Sequence, residues 1–142
     1  YEISLGLVGS EMCIRDRQQG GGEYAAGRLR RDEELVACAQ KGGIVGVTVQ
    51  PSVISSWGSE LSIDRLLDHY DYMVELLGID HVAIGTDSSI GMRSSGFIRG
   101  VDSPAEGKNI IRGLITRGYS DEDIIKVTGS NALAFFRKVM GD

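Results

Sequence analysis

The sequence predicts an α/β fold built on a parallel sheet, and two observations carry the prediction. Twice along the chain a helical stretch is stopped by glycine and followed by a short apolar run, first over 32–49 and again over 62–87. The runs are Ile44-Val45-Gly46-Val47-Thr48-Val49 and His81-Val82-Ala83-Ile84-Gly85-Thr86. Both have the length and apolar content of strands buried on both faces, as in a parallel sheet covered by helices. Joined by one helical crossover, they make a βαβ unit, right-handed by the usual rule. Two strands do not finish a sheet, so the chain reads as the closing part of a larger α/β fold.

Taken in order, Tyr1 to Arg17 fits neither a helical nor a strand period and lacks the basic start and sustained apolar region of a signal peptide. Its Ser10-Glu11-Met12-Cys13-Ile14-Arg15-Asp16-Arg17 resembles a translated sequencing-adapter peptide. The alternative is a genuine short strand and turn. Gln18 to Gly27 is glycine-rich and polar, a loop or junction. Residues 1–27 are therefore expected to be a non-native or disordered segment and 28–142 the folded part, a fragment whose true N-terminal portion is missing. Asp32 to Lys41 has Leu35, Val36, Cys38 and Ala39 on one helical face and acids in its first turn, which suit the helix dipole. Gly42-Gly43 stop it, and Pro51 ends the following strand because it cannot donate to a ladder.

The central helix is the best marked. Ile63, Leu66, Leu67, Tyr70, Met73, Val74 and Leu77 recur at three- and four-residue steps, with Asp64, Asp68, Asp71 and Glu75 on the other face. Ser62 suits the N-cap and Gly78 the left-handed stop. After the second strand, residues 88–102 form a long aperiodic rim loop. Ser103-Pro104-Ala105-Glu106 predicts a capping box opening a helix with Ile110, Ile111, Leu114 and Ile115 inward and Gly118 at its end. Ser120 opens a short helix carrying Ile124, Ile125 and Val127, closed at Gly129, and Asn131 to Met140 is the last helix, with Leu133, Phe135, Phe136 and Val139 as core.

Composition removes several function classes. The 142 residues carry a formal charge of −5, which argues against a nucleic-acid or anionic-membrane partner. No run of about 18 apolar residues exists, and the C-terminus lacks a lipid-anchor tail. With no targeting signal in the chain, a cytoplasmic location is the expectation. Cys13 and Cys38 have neither a CxxC spacing nor histidine neighbours, so they point to no metal or redox motif.

Asp87 closes the second strand, and in α/β proteins the loops leaving that end of the strands form the ligand-facing rim. Ser52 to Glu60, with Trp57, leaves the first strand at the same end. Gly85 with Ser88-Ser89-Ile90-Gly91 offers a second reading, an anion- or phosphate-binding module presenting backbone amides, although no P-loop or GxGxxG spacing supports it. His69 falls on the crossover helix and His81 at the strand start away from the rim, so both read as structural or surface residues. Asp80 and Asp87 bracket opposite ends of one strand and make no catalytic pair.

Three stretches together resemble the membrane (renal-type) dipeptidase family of zinc metallopeptidases: Gly42-Gly43-Ile44-Val45-Gly46-Val47, Asp68-His69-Tyr70-Asp71-Tyr72, and Gly78-Ile79-Asp80-His81-Val82-Ala83-Ile84-Gly85-Thr86-Asp87. The ending, Arg117-Gly118-Tyr119-Ser120-Asp121-Glu122-Asp123-Ile124 and Gly129-Ser130-Asn131, is similar too. The resemblance runs from Arg28 to Met140. It implies a (β/α)8 TIM barrel that hydrolyses dipeptides with two zinc ions, with this chain supplying the seventh and eighth strands and the helices after them. It implies Asp87 as the catalytic aspartate beside the metal-bridging water and Arg28 as the arginine holding the substrate's terminal carboxylate. The sequence departs from the family pattern at Leu29, where asparagine is usual, and at Ser88-Ser89-Ile90, where Phe-Asp-Gly is usual. The family's metal ligands lie upstream of the resemblance, so this chain is expected to supply none and to be inactive alone. The full-length form would be a dipeptidase, possible as a homodimer; a barrel relative without hydrolytic activity is the other reading.

Overall fold

Three strands pair in parallel in the order β1–β2–β3, with β1 at Leu7–Val8, β2 at Ile44–Val47 and β3 at Val82–Ile84. The structure is a computed structural model and describes residues 7–8, 32–49, 62–86, 98–101 and 103–141. Leu7 and Val8 stand opposite Ile44 and Val45, so a stretch the sequence alone sets aside forms a strand, and β2 is the central strand of the described sheet. In β3, Val82, Ala83 and Ile84 stand opposite Val45, Gly46 and Val47.

Successive strand residues face opposite sides. Val45, Val47 and Val82 enter the main core with Leu35, Cys38, Leu66, Tyr70 and Met73, while Ile44 and Ala83 face the other way and are covered by Phe135. Helix α1, Asp32–Gln40, ends in two bonds that satisfy its last carbonyls. Gly42 N–H donates to Ala39 O at 2.8 Å and Gly43 N–H to Cys38 O at 2.9 Å, with Gly42 at φ +77°. This is a Schellman stop, which a left-handed glycine makes without a Cβ clash. Helix α2, Ile63–Leu77, is the crossover; Ser62 Oγ accepts from Arg65 N–H, and Leu66, Leu67, His69, Tyr70 and Met73 are buried. Tyr72 OH donates to Asp32 Oδ2 at 2.7 Å, tying α2 to the start of α1.

Helix α3, Lys108–Thr116, lies on α2, and it too ends in a Schellman stop, with Gly118 N–H on Ile115 O and Tyr119 N–H on Leu114 O. That stop throws Arg117 and Tyr119 onto α2. Arg117 pairs with Asp71, reaches Asp68 Oδ1 at 2.9 Å and donates to Asp64 O at 2.9 Å, and Tyr119 OH donates to Asp71 Oδ1 at 2.8 Å. Burial disfavours the charge on Arg117, but its bonds to Asp71 and Asp68 prevail and raise its pKa.

Several expectations change here. Ser103 makes no side-chain cap: Pro104–Glu106 is a 3-10 turn, and the α-helix begins only at Lys108, after Gly107. The capping box lies instead at Ser120, whose hydroxyl accepts from Asp123 N–H while Asp123 Oδ2 accepts from Ser120 N–H. Nor does Gly129 close the helix that follows. Helix α4, Asp121–Ile125, runs through a π-helical turn, Lys126–Ser130, into α5, Asn131–Met140. Ser130 Oγ donates to Ile125 O at 3.2 Å, five residues back, a bond that fits this wider turn. The π turn lies against β3 with Val127 buried, and Ile125 is left outside. On α5 the expected core reduces to Phe135: Leu133 is 51% exposed, Phe136 43% and Val139 38%. Ile115 of α3 is also exposed, because only Ile110 and Leu114 reach α2 fully. The residues read as one strand from His81 to Thr86 divide into a 3-10 turn, Ile79–His81, and the shorter β3. Among the described residues no helix is long and apolar enough to cross a membrane.

Asn131 explains how α5 is locked to the sheet. Its Nδ2 donates to Ile79 O at 2.7 Å and to Val82 O at 2.9 Å, so one amide satisfies two carbonyls at the entrance to β3. Asn131→Ala strands both acceptors, the Val82 carbonyl in a buried place, and is expected to lower stability by about 1–3 kcal/mol, read as the shift of the urea midpoint at constant slope. Burial raises the pKa of Tyr70, and burial followed by the bond to Asp71 raises that of Tyr119, so both prefer to stay neutral in the fold. Their stabilising contribution is complete below the unfolded tyrosine pKa of about 10 and is lost as pH rises beyond it. An absorbance titration at alkaline pH should therefore show these two phenols ionising only together with loss of helical circular dichroism; early ionisation with the fold intact contradicts this.

Candidate active site at the strand ends

Because β2 and β3 run parallel, their C-terminal ends share one edge of the sheet, formed by Thr48-Val49 and Gly85-Thr86. Asp87 follows Thr86 directly. Asp87 and Arg28, the two functional candidates from the sequence, lie outside the described residues, as do Trp57 and the Ser88–Gly91 loop. The described residues thus supply the frame that leads to Asp87.

That frame is irregular at one point. Gly85 N–H donates to Val47 O at 3.2 Å, as the register requires. In a regular parallel ladder Val49 N–H would next reach Gly85 O, but it donates to Thr86 O at 3.2 Å. The bonding thus shifts by one residue just beyond the last paired residues, Val47 and Ile84. Thr48 is almost fully buried there, a polar side chain at the C-terminal end of β2 that the sequence reading passes over as one more strand residue. Beside this shift the two backbones lie close. A methyl added at Gly46 would lie 3.2 Å from Gly85 Cα, and one added at Gly85 would lie 3.0 Å from Gly46 Cα, so glycine at both positions lets the strands approach without displacing the neighbouring backbone.

Residues 98–101 are held in the fold: Ile98 and Val101 are buried in the main core, Arg99 bridges to Ser62, and Asn109 Nδ2 donates to Gly100 O at 2.8 Å. The two histidines are apart from this edge. His81 stands before β3, where its Nδ1 donates to Gly43 O at 2.8 Å, and His69 is buried on α2. Asp80 pairs with Lys126 Nζ at 3.0 Å at the same entrance end, so it shares no site with the residue after Thr86. Among the described residues no three His, Cys, Asp or Glu side chains gather as a metal would need. These residues do not fit a metal centre.

The comparisons agree with this frame. The family model for membrane dipeptidase (peptidase family M19) matches residues 26–141. The chain belongs to the membrane dipeptidase family. Dipeptidase ataJ of Aspergillus terreus is 31% identical over 109 residues, covering 76% of this chain and 26% of the relative. Among solved structures, an amidohydrolase from Pseudomonas aeruginosa superposes with a TM-score of 0.73 at 26% identity, over 81% of this chain and 42% of that one. The dipeptidase AC, a metallopeptidase of family M19, does so with a TM-score of 0.71 at 21% identity, over 81% and 34%. The chain spans about a quarter of the length of the curated relatives it matches first. In this membrane dipeptidase sequence, the signals for the close approach of the two strands are the single glycines within each apolar run, Gly46 and Gly85.

Proposed function

We propose that residues 28–142 are the C-terminal part of a (β/α)8 barrel that hydrolyses dipeptides in a zinc-dependent reaction, and that the metal ligands belong to parts of the protein outside this chain. The observation that carries the reading is the rim itself: within a membrane dipeptidase match, two adjacent parallel strands end on one edge, and the second leads straight into Asp87. This chain's own candidate for proton transfer is Asp87. A carboxylate at that edge can take the proton released by the attacking water and hand it to the leaving amine. Arg28 presents a planar guanidinium fork suited to a dipeptide's terminal carboxylate. On this reading the 142-residue chain has no dipeptidase activity by itself.

Sequencing the source locus upstream of Arg28 tests the reading first. A continuous frame with a His-x-Asp and two further histidines is expected; its absence would leave family descent without the activity. In that longer protein, Asp87→Asn should lower kcat by about 10²–10⁴ with KM little changed, while Arg28→Met should raise KM about 10–100-fold by removing a charge-assisted pair. Steady-state hydrolysis of a simple dipeptide reads both. Full turnover by Asp87→Asn would remove the aspartate from the chemistry.

A further inference from the structure

We propose that α5 is the floor of the barrel. It lies inside the ring of strands at the end where they begin, and its exposed flank is covered by inward-facing apolar side chains of strands that lie outside this chain. The inference rests on the reading of residues 28–142 as the C-terminal part of a (β/α)8 barrel. In such a barrel the crossover helices form the outer ring, and side chains alternate between that ring and the interior along every strand. Helix α2 packs on Val45, Val47 and Val82, so theirs is the outer face of the sheet. Ile44 and Ala83 therefore face the interior, and the side chain that covers them is Phe135 of α5.

The chain passes from one face to the other around the entrance of β3. Val127 of the π turn still belongs to the outer core, Asn131 binds the carbonyls of Ile79 and Val82 at the entrance, and Phe135 is already on the inner face. From there α5 runs on beneath β2, since Lys138 Nζ lies 2.6 Å from where a Cβ on Gly42, just before β2, would stand. The sheet thus accounts for one side of the helix. On the flank away from Asn131 and Phe135, Leu133, Phe136 and Met140 recur at three- and four-residue steps and are 51%, 43% and 79% exposed. Of the 10 residues of α5 only Asn131, Arg137 and Lys138 are polar, and a helix apolar nearly all round is a buried one. Two facts point to what buries it. Among the described residues β3 pairs along one edge only, whereas a closed barrel leaves no free edge. The chain also spans about a quarter of the length of its relatives, which leaves the strands that complete the ring to the rest of the protein. A helix crossing the floor has β2 and β3 on one side and those strands on the other. With the floor in place, the interior opens only at the end where β2 and β3 finish.

Hydroxyl-radical footprinting read by mass spectrometry tests this on unmutated protein. In the 142-residue chain Leu133, Phe136 and Met140 should react freely while Phe135 stays protected. In the longer protein, expressed from the frame extended upstream of Arg28, all three should be modified at least about tenfold more slowly, because a covered side chain reacts only through local opening. Full reactivity there overturns the proposal. Sedimentation velocity of the 142-residue chain tests the competing occupant, a second copy. A monomer with the flank reactive supports the proposal; a dimer that protects the same three residues and is dissolved by Phe136→Asp overturns it. Failure of the underlying reading looks different. A longer protein that protects the flank yet hydrolyses no dipeptide would lose the activity and keep the floor, and one that hydrolyses dipeptides with the flank reactive would keep the activity and lose the floor.

Discussion

The fold depends on the parallel pairing of β2 with β3. Parallel neighbours cannot be joined by a tight turn, so the chain must cross from the end of one strand to the start of the next, and α2 makes that crossing. The crossing fixes most of the remaining structure. It lays the α2 face of Leu66, Tyr70 and Met73 over Val45, Val47 and Val82, and it offers α2's outer flank to α3. It also sends both strands out at one edge.

Such a short strand needs help at both ends. β3 has three residues, so its own ladder bonds are few, and the backbone groups at either limit must find other partners. At the entrance Asn131 serves Ile79 O and Val82 O, and the π turn brings both Asn131 and Val127 to the strand. At the exit the Val49 N–H bond to Thr86 O and the close Gly46–Gly85 approach take over. The two ends use opposite means. A buried side-chain amide pins the entrance, and the absence of side chains lets the backbones come together at the exit.

Helices with both ends written in local chemistry were legible in the sequence. Ser62 and Gly78 delimit α2, Gly42-Gly43 end α1, and Gly118 ends α3, because caps and left-handed stops depend on a few neighbouring residues. Where an outcome depended on a distant partner, the pattern misled. Ser103 and Glu106 have the spacing of a capping box, yet a 3-10 turn forms there, while Ser120 and Asp123 make the real one. Leu133, Phe136 and Val139 are apolar at helical spacing, yet α5 turns only Phe135 and Asn131 fully inward, since the π turn changes the phase with which α5 meets the sheet. His69 sits among the buried residues of α2, a place its polarity did not advertise. The one-residue shift of bonding at the strand ends is the least visible of all. It is a difference of one residue in hydrogen bonding between strands that are 37 positions apart in register, Val45 with Val82.

The exit is where the backbones themselves set the spacing. Gly85 N–H donates to Val47 O and Val49 N–H to Thr86 O, both at 3.2 Å, so bonding between the two segments continues beyond their last paired residues. Beside those bonds a Cβ on Gly46 would lie 3.2 Å from Gly85 Cα and one on Gly85 3.0 Å from Gly46 Cα, and accommodating either would shift the neighbouring backbone by a few tenths of an ångström. The spacing of β2 and β3 at this end is thus set by two residues that have no side chain to adjust.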